Sequence, residues 1–377
     1  MSANYKEHNM PTRIERKNSW GLHTATRLVC ISDIHGHYQT FLNLINKLKG
    51  GNHFNEKRDF LLINGDIVDR GLGSAALLNY LKSLHNICAM GDKIKCTLGN
   101  HEYDWLMAML MPDSRTPKGT LNRDFWLNGK RGAEATIDSF GGISEAFDFL
   151  CDNLDAILSM LHYCVQIDLP TNKKIFASHA LNYGTLLKEG NHQVGVNEEN
   201  LWHAVRENYN ESYINKLAKQ YGGMTWLFGH QAFARIIQEN QHNRHPNVQP
   251  LDNGCSIPTA NQFQNQSSGN LAAVIFDART GEKLSTVTEP PHPSDKNNEL
   301  NKEMLRKNNI IISAELRRKS KTYKTWLSHN AHKAKLHSNR FQDWHRALTS
   351  KSLVIFTKGM IEESAEQPYQ KVFAQRF

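Results

Sequence analysis

Asp33 and His35 stand two residues apart just after the apolar run RLVCI. On an extended segment that spacing points both side chains to one side. Two later segments repeat the arrangement: Gly65-Asp66-Ile67-Val68-Asp69-Arg70-Gly71 follows FLLIN, and Gly99-Asn100-His101-Glu102 follows IKCTL. His179 and His230 come soon after KIFA and MTWLF. Glu102 aside, these supply three carboxylates, four imidazoles, an amide and an arginine. Oxygen and nitrogen donors without thiolate suit Mn, Fe or Zn in a hydrolytic centre better than a structural zinc. Asp33, His35 and Asp66 can hold one ion. Asp66, with two oxygens, can bridge to a second ion completed by Asn100, His179 and His230. The expected cofactors are therefore two divalent ions, Mn first and Fe or Zn as alternatives. Such a pair acidifies a shared water, the expected nucleophile, and shields phosphate charge.

His101 is expected as a general acid rather than a ligand, because its neighbour Asn100 is the residue aimed at the metal. Asp69 would orient the His101 ring and hold its proton. Arg70 offers the planar fork that matches phosphate oxygens, with Asn100 and Arg206 as further phosphate contacts.

These residues need strands to carry them. Strands are expected over 26–33, 59–64 and 94–98, with helices between: one over 38–49 with Phe41, Leu44, Ile45 and Leu48 at helical spacing, another with Leu77, Leu81 and Leu84 on one face. Asp33, Asp66 and Asn100 are 33 and 34 residues apart, the length of a βαβ unit. Right-handed crossovers would align the three strands in parallel, with the ligands just past their carboxyl ends. After Glu102 the text is helical, then irregular around Pro112 and Pro117, then helical over 143–161. Strands are expected near 162–168 and 173–178, a helix over 199–219, and strand-rich text (MTWLFGH, ARIIQ, NLAAVIFD, EKLSTV) over 224–288, with polar loops at 239–250 and 257–269.

Taken together, SDxHG, GDxVDRG and GNHE followed by two spaced histidines resemble the phosphoprotein phosphatase family of metallophosphoesterases, in its bacterial and phage-lambda-like branch. The resemblance covers roughly residues 27–285. Trp126-Leu127-Asn128-Gly129 is similar to that branch's WLLNGG segment, and Asp252-Asn253-Gly254 with Gly269-Asn270-Leu271 to its DTG…GNL ending. The resemblance implies a four-layered α/β metallophosphoesterase fold, a central β-sandwich flanked by helices. It implies Asp33, His35 and Asp66 on one metal, and Asp66, Asn100, His179 and His230 on the other. His101 and Asp69 would be the acid pair, and Arg70 and Arg206 would bind phosphate. Ser32, His37 and Ala180 depart from the usual pattern, and Arg206 matches only with two residues inserted after Trp202. The implied activity is a metal-dependent phosphomonoesterase, a protein phosphatase for Ser/Thr or Tyr, with a phosphoprotein as substrate. The enzyme alternative is a symmetrical diadenosine tetraphosphate hydrolase, a sister branch whose second motif lacks the Asp at position 69 and whose third ends in Asp. The alternative of another class is a catalytically silent binding scaffold.

With 377 residues, 39% apolar and 22% charged, the chain has the composition of a globular protein able to bury a full core. No apolar run approaches the ~20 residues of a membrane helix. The polar N-terminus lacks the apolar core of a secretory signal, and the six cysteines form no CxxC pair. A reducing, cytoplasmic location is therefore expected. Residues 286–377 hold 17 Lys and Arg against 9 Asp and Glu, so the entire net charge of +8 belongs to that segment. The expected organisation is a flexible arm over 1–25, a catalytic domain over 26–288, and a basic, partly helical extension over 289–377. Such a run reads as a solvated face. Trp326, Phe341 and Trp344 within it point to docking on the catalytic domain or to an acidic partner. No recognition motif makes nucleic acid the expected partner.

Overall fold

A computed structural model describes residues 26–86, 93–128, 131–180, 205–206, 223–231, 247–256, 269–295, 314–350 and 353–356. The three expected parallel strands are β1 (Arg27–Ile31), β2 (Phe60–Ile63) and β3 (Ile94–Thr97), joined by α1 (Tyr38–Gly50) and α2 (Ser74–Asn86). β1 pairs in parallel with β2, and β2 with β3. Alternation along each strand divides the core. Val29, Ile31, Leu61 and Ile63 face the helices and pack with Phe41, Leu44 and Leu77. Leu28, Cys30, Phe60 and Leu62 face the other way, onto Val165, Ile167, Ile175 and Leu227 of a second sheet. Burial on both faces is why these strands read as unbroken apolar runs rather than as alternating text.

Five helices follow: α3 (Asn100–Leu110), α4 (Asn122–Trp126), α5 (Ala133–Ser139), α6 (Ile143–Asp152) and α7 (Leu154–Met160). The single helix expected over 143–161 breaks at Asn153, whose side chain donates to the Phe149 carbonyl at 2.7 Å and accepts from Lys82 at 2.7 Å. α4 and α5 occupy text expected to be irregular or left unassigned, and each is too short to show a helical period.

The remaining strands are β4 (Leu161–His162), β5 (Cys164–Asp168), β6 (Lys174–Ser178), β7 (Met224–Phe228), β8 (Val248–Pro250), β9 (Leu271–Asp277), β10 (Lys283–Glu289) and β11 (Leu353–Phe356). One sheet runs β10-β9-β1-β2-β3-β4, the other β11-β5-β6-β7-β8. The result is the α/β sandwich flanked by helices that the motifs imply. β8 lies in text expected to be a polar loop. It is an edge strand ending in Pro250, and a proline is tolerated there because one side of the strand needs no ladder hydrogen bond. The 1–25 arm, the ARIIQ strand and most of the 199–219 helix lie outside the described residues. No helix among the described residues is long and apolar enough to cross a membrane.

The basic segment is not a free arm where it is described. Its helices α8 (Ala314–His329) and α9 (Ala331–Ser350) lie on the catalytic body. Leu327, Phe341 and Trp344 are each 1% exposed. Trp326 meets the Phe147 ring at 5.7 Å, and Trp344 Nε1 donates to the Leu158 carbonyl at 2.9 Å. Ser320 donates to the Leu127 carbonyl at 2.6 Å, Tyr323 to Asp138 at 2.7 Å, and Arg340 pairs with Asp155 at 3.2 Å. Trp344→Ala would remove a fully buried ring and leave a cavity, so unfolding stability is expected to fall by about 3–5 kcal/mol. Denaturant unfolding checks this, and a loss below about 1 kcal/mol would contradict the docked arrangement.

Candidate metal centre

The ligand-bearing residues sit where β1, β2, β3, β6 and β7 end, all at one edge of the sandwich. Asp33, His35, Asp66, Asp69, Arg70 and His230 have φ between 49° and 72°. Left-handed backbone costs a residue with a Cβ about 1–2 kcal/mol, so neighbouring contacts must hold six such residues in place. A ladder of backbone bonds joins the first two loops. Asp33 N–H donates to Gly65 O at 3.1 Å, His35 N–H to Asp66 O at 2.8 Å, Gly36 N–H to Ile67 O at 2.7 Å and Gly71 N–H to His35 O at 2.9 Å.

Glu102 organises the middle of this structure. Its buried carboxylate accepts N–H bonds from Asp66 (2.8 Å), Ile67 (2.6 Å), Val68 (3.0 Å) and Gly99 (3.0 Å). Burial, together with the charge of Asp66, pushes its carboxyl up to about 7, against the pull of these donors. Gly99 lies so close to Asp66 that a Cβ there would run into the Asp66 nitrogen and carboxylate.

Asp66 therefore presents its two oxygens in two directions. Oδ2 lies 3.4 Å from His35 Nε2, and Oδ1 lies 3.2 Å from His179 Nε2. Asp33 Oδ1 is 3.9 Å from His35 Nε2 on the first side. On the second side, Asn100 Oδ1 meets His179 Nε2 at 3.2 Å and His230 Nδ1 at 2.8 Å. Each ring is turned by its other nitrogen: His35 Nδ1 bonds the Val68 carbonyl at 3.1 Å and His179 Nδ1 the Asn64 carbonyl at 3.0 Å. Such outer bonds fix the tautomer that leaves Nε2 open to a metal. Asn64, which the sequence did not single out, also donates to Ser178 O at 3.0 Å and accepts from Thr97 at 2.9 Å. All six expected ligands are thus brought together, in two groups that share Asp66.

The charges suit cation binding. Burial lowers the imidazole of His35, aided by Arg70, and lowers that of His230 to about 3, aided by His179, so both rings are neutral donors. Burial also lowers His179, but Asp66 and Asp33 outweigh it and raise the ring to about 10. Burial raises Asp33, and the nearby Asp252 and Asp66 raise it further. Asp66 goes the other way: burial raises its carboxyl, but the His179 and His101 rings outweigh that and hold it well below the usual range. A carboxylate raised by burial and like charge, as Asp33 is, is relieved by a bound cation. The donor set fits two divalent ions.

His101 stands with His35 and Asp66 in a cluster whose ligand atoms lie close enough together to hold an ion, but its other ring nitrogen is turned to Asp69. Its Nδ1 meets Asp69 Oδ2 at 2.7 Å, while its Nε2 is 3.9 Å from Asp66 Oδ2 and 3.3 Å from Arg70 Nη2. Three donors hold the fully buried Asp69: Trp126 Nε1 at 3.1 Å, Thr136 Oγ1 at 2.9 Å, and the His101 ring. The Trp126 segment, noticed in the sequence only as a resemblance, thus anchors Asp69 and, through it, the His101 ring. Arg70 is braced by Ser256 at 2.7 Å. Arg206 Nη2 reaches the Asn100 carbonyl at 3.5 Å and pairs with the Asp104 carboxylate, its guanidinium over the Tyr103 and Phe125 rings at 5.4 and 5.5 Å. Arg131 pairs with the same Asp104 at 3.3 Å. Neither Asp104 nor Arg131 was legible as a site neighbour, because both depend on how α3 meets the loop before α5.

A model of the calcineurin-like phosphoesterase family matches residues 26–234, more than half of the chain. The symmetrical bis(5'-nucleosyl)-tetraphosphatase of Buchnera aphidicola (strain Sg) is 46% identical over 72 residues, 19% of this chain and 23% of that protein. The Klebsiella pneumoniae protein of the same name is 35% identical over 91 residues, 24% and 29% of the two chains. This chain therefore spans about a quarter of the length of these curated relatives. A metallophosphoesterase structure from Sphaerobacter thermophilus superposes with a TM-score of 0.40 at 14% identity, covering 74% of this chain and 98% of that one.

Two substitutions probe the centre. Asp66→Asn removes the charge shared by both groups, and a variant that still holds two metal ions per chain by elemental analysis would contradict the bridging assignment. Glu102→Gln replaces one accepting oxygen with an NH2 that faces peptide N–H groups. Losing charged hydrogen bonds at about 1.5–3 kcal/mol each, it is expected to melt lower and bind Mn more weakly, checked by thermal unfolding and metal titration.

Proposed function

This chain belongs to the calcineurin-like phosphoesterase family, and on that premise we propose that it is a two-metal protein phosphatase. One observation carries the choice: the His101–Asp69 contact at 2.7 Å, buried beside Asp66 and braced by Trp126 and Thr136. With Nδ1 engaged by Asp69, Nε2 is the ring atom left to protonate a departing alkoxide. Alkoxide leaving groups such as that of serine need that proton most. Arg70, with Asn100 and Arg206 close by, would grip phosphate oxygens and aim the phosphorus at the metal pair. Bound metal ions would supply an acidified water and neutralise phosphate charge. Asp33, His35, Asp66, Asn100, His179 and His230 would hold them. The basic face of α8 and α9 would favour acidic phosphoprotein substrates.

A second reading, symmetrical dinucleoside tetraphosphate hydrolysis, is favoured by the names of the curated relatives over their matched 72 to 91 residues. Asp69 and Glu102 argue for the first reading, since the sister branch lacks the corresponding Asp and ends its third motif in Asp. Steady-state rates of the Mn-loaded protein on phosphopeptides and on diadenosine tetraphosphate decide between them. A kcat/KM that favours the dinucleotide by tenfold or more would reject the protein phosphatase reading.

His101→Ala is expected to keep both metals and lower kcat on a phosphoserine peptide about 10²–10⁴-fold. The loss should be smaller on p-nitrophenyl phosphate, whose leaving group needs no proton. Equal losses on the two substrates would assign His101 an electrostatic role instead.

A further inference from the structure

The first metal loop runs straight into α1, and His37, the residue just before it, makes no side-chain cap. A helix start leaves up to four peptide N–H groups without helical partners, and here the partner comes from 255 residues away. The Asp295 carboxylate accepts Gln39 N–H at 3.0 Å, Thr40 N–H at 2.7 Å and the Thr40 hydroxyl at 2.8 Å. The same Thr40 oxygen accepts His292 N–H at 2.7 Å. The Asp295 carbonyl accepts Leu72 N–H at 3.3 Å, one residue past the Asp69-Arg70-Gly71 loop. Between these points Gly73 N–H donates to Gly36 O at 2.8 Å. One residue beyond the last strand of the main sheet therefore ties the exits of both strained metal loops together, and it is only 4% exposed.

We infer that Asp295 is a positioning residue for the metal centre, acting through the start of α1 and the loop after Arg70. Its negative charge lies at the positive end of a 13-residue helix, where it is favoured. Its hydrogen bonds fix where the chain leaves Asp33 and His35. Five left-handed residues in these loops, Asp33, His35, Asp66, Asp69 and Arg70, depend on such outside restraint. The functional unit accordingly extends past Glu289, through the Pro290-Pro291-His292-Pro293 turn, to Asp295.

The inference rests on the two-metal reading but not on any substrate, so it is tested by metal binding to the full chain. Mn titration by calorimetry, with a thermal melt of each variant, is expected to give Asp295→Ala a metal Kd at least tenfold above the parent. Asp295→Asn keeps an acceptor for only one of the two amides and turns an NH2 toward the other, so its Kd is expected to lie between those of the parent and Asp295→Ala. Asp295→Ala that melts lower but binds Mn within twofold of the parent would make Asp295 a purely structural cap and overturn the inference. If Asp295→Ala does not fold, Thr40→Val decides. It removes the hydroxyl shared by Asp295 and His292, and is expected to raise Kd severalfold, whereas an unchanged Kd overturns the inference. Because no turnover is measured, a failure of the phosphatase reading leaves this result standing on its own.

Discussion

The Glu102 carboxylate, with four peptide N–H groups converging on it, is the interaction on which the metal centre depends. It turns the backbone from Asp66 to Val68 so that one Asp66 oxygen faces His35 and the other faces His179. Without that turn the two ligand groups would share no residue. The arrangement is costly to desolvate, which is why the carboxyl is pushed up to about 7. Only several donors at once make a buried carboxylate tolerable.

The centre is assembled by opposed local and tertiary preferences. Locally, Asp33, His35, Asp66, Asp69, Arg70 and His230 would avoid left-handed backbone. Tertiary contacts override this: loop-to-loop hydrogen bonds, the close approach of Gly99, and the Asp295 tie behind α1. Such strain is retained where it sets geometry. The His101–Asp69 contact is held the same way, since Asp69 takes donors from α4, α5 and α3 together. Positioning of one carboxylate thus draws on three helices that are separate in sequence.

Charge is arranged on a larger scale as well. The two described helices of the basic segment lie on acidic positions of the catalytic body: Lys324 on Asp124 at 3.5 Å and Arg340 on Asp155 at 3.2 Å. These exposed pairs contribute little individually. Burial of Phe341, Trp344 and Leu327 supplies the larger part of the docking, because apolar area removed from water scales with side-chain size. The charges favour one face over another rather than holding the helices on.

The order of ligand types was legible in the chain because each ligand follows a short run of β-branched and apolar residues, and because βαβ units have a characteristic length. β1, β2 and β3, the two connecting helices, and the six residues that meet around Asp66 could therefore be read in advance. The breaks and short elements could not. Asn153 splits a helix through side-chain bonds, α4 and α5 are too brief to show a period, and β8 is an edge strand whose pairing is supplied by β7. The roles of Glu102, Asn64, Trp126 and Asp295 were decided only by the tertiary structure. Their partners lie tens to hundreds of residues away, and a hydrogen bond between distant residues leaves no periodic trace in sequence. The side on which the tail packs was decided in the same way: its aromatic residues announced a need for burial, but which surface meets that need is set by the shape of the folded body.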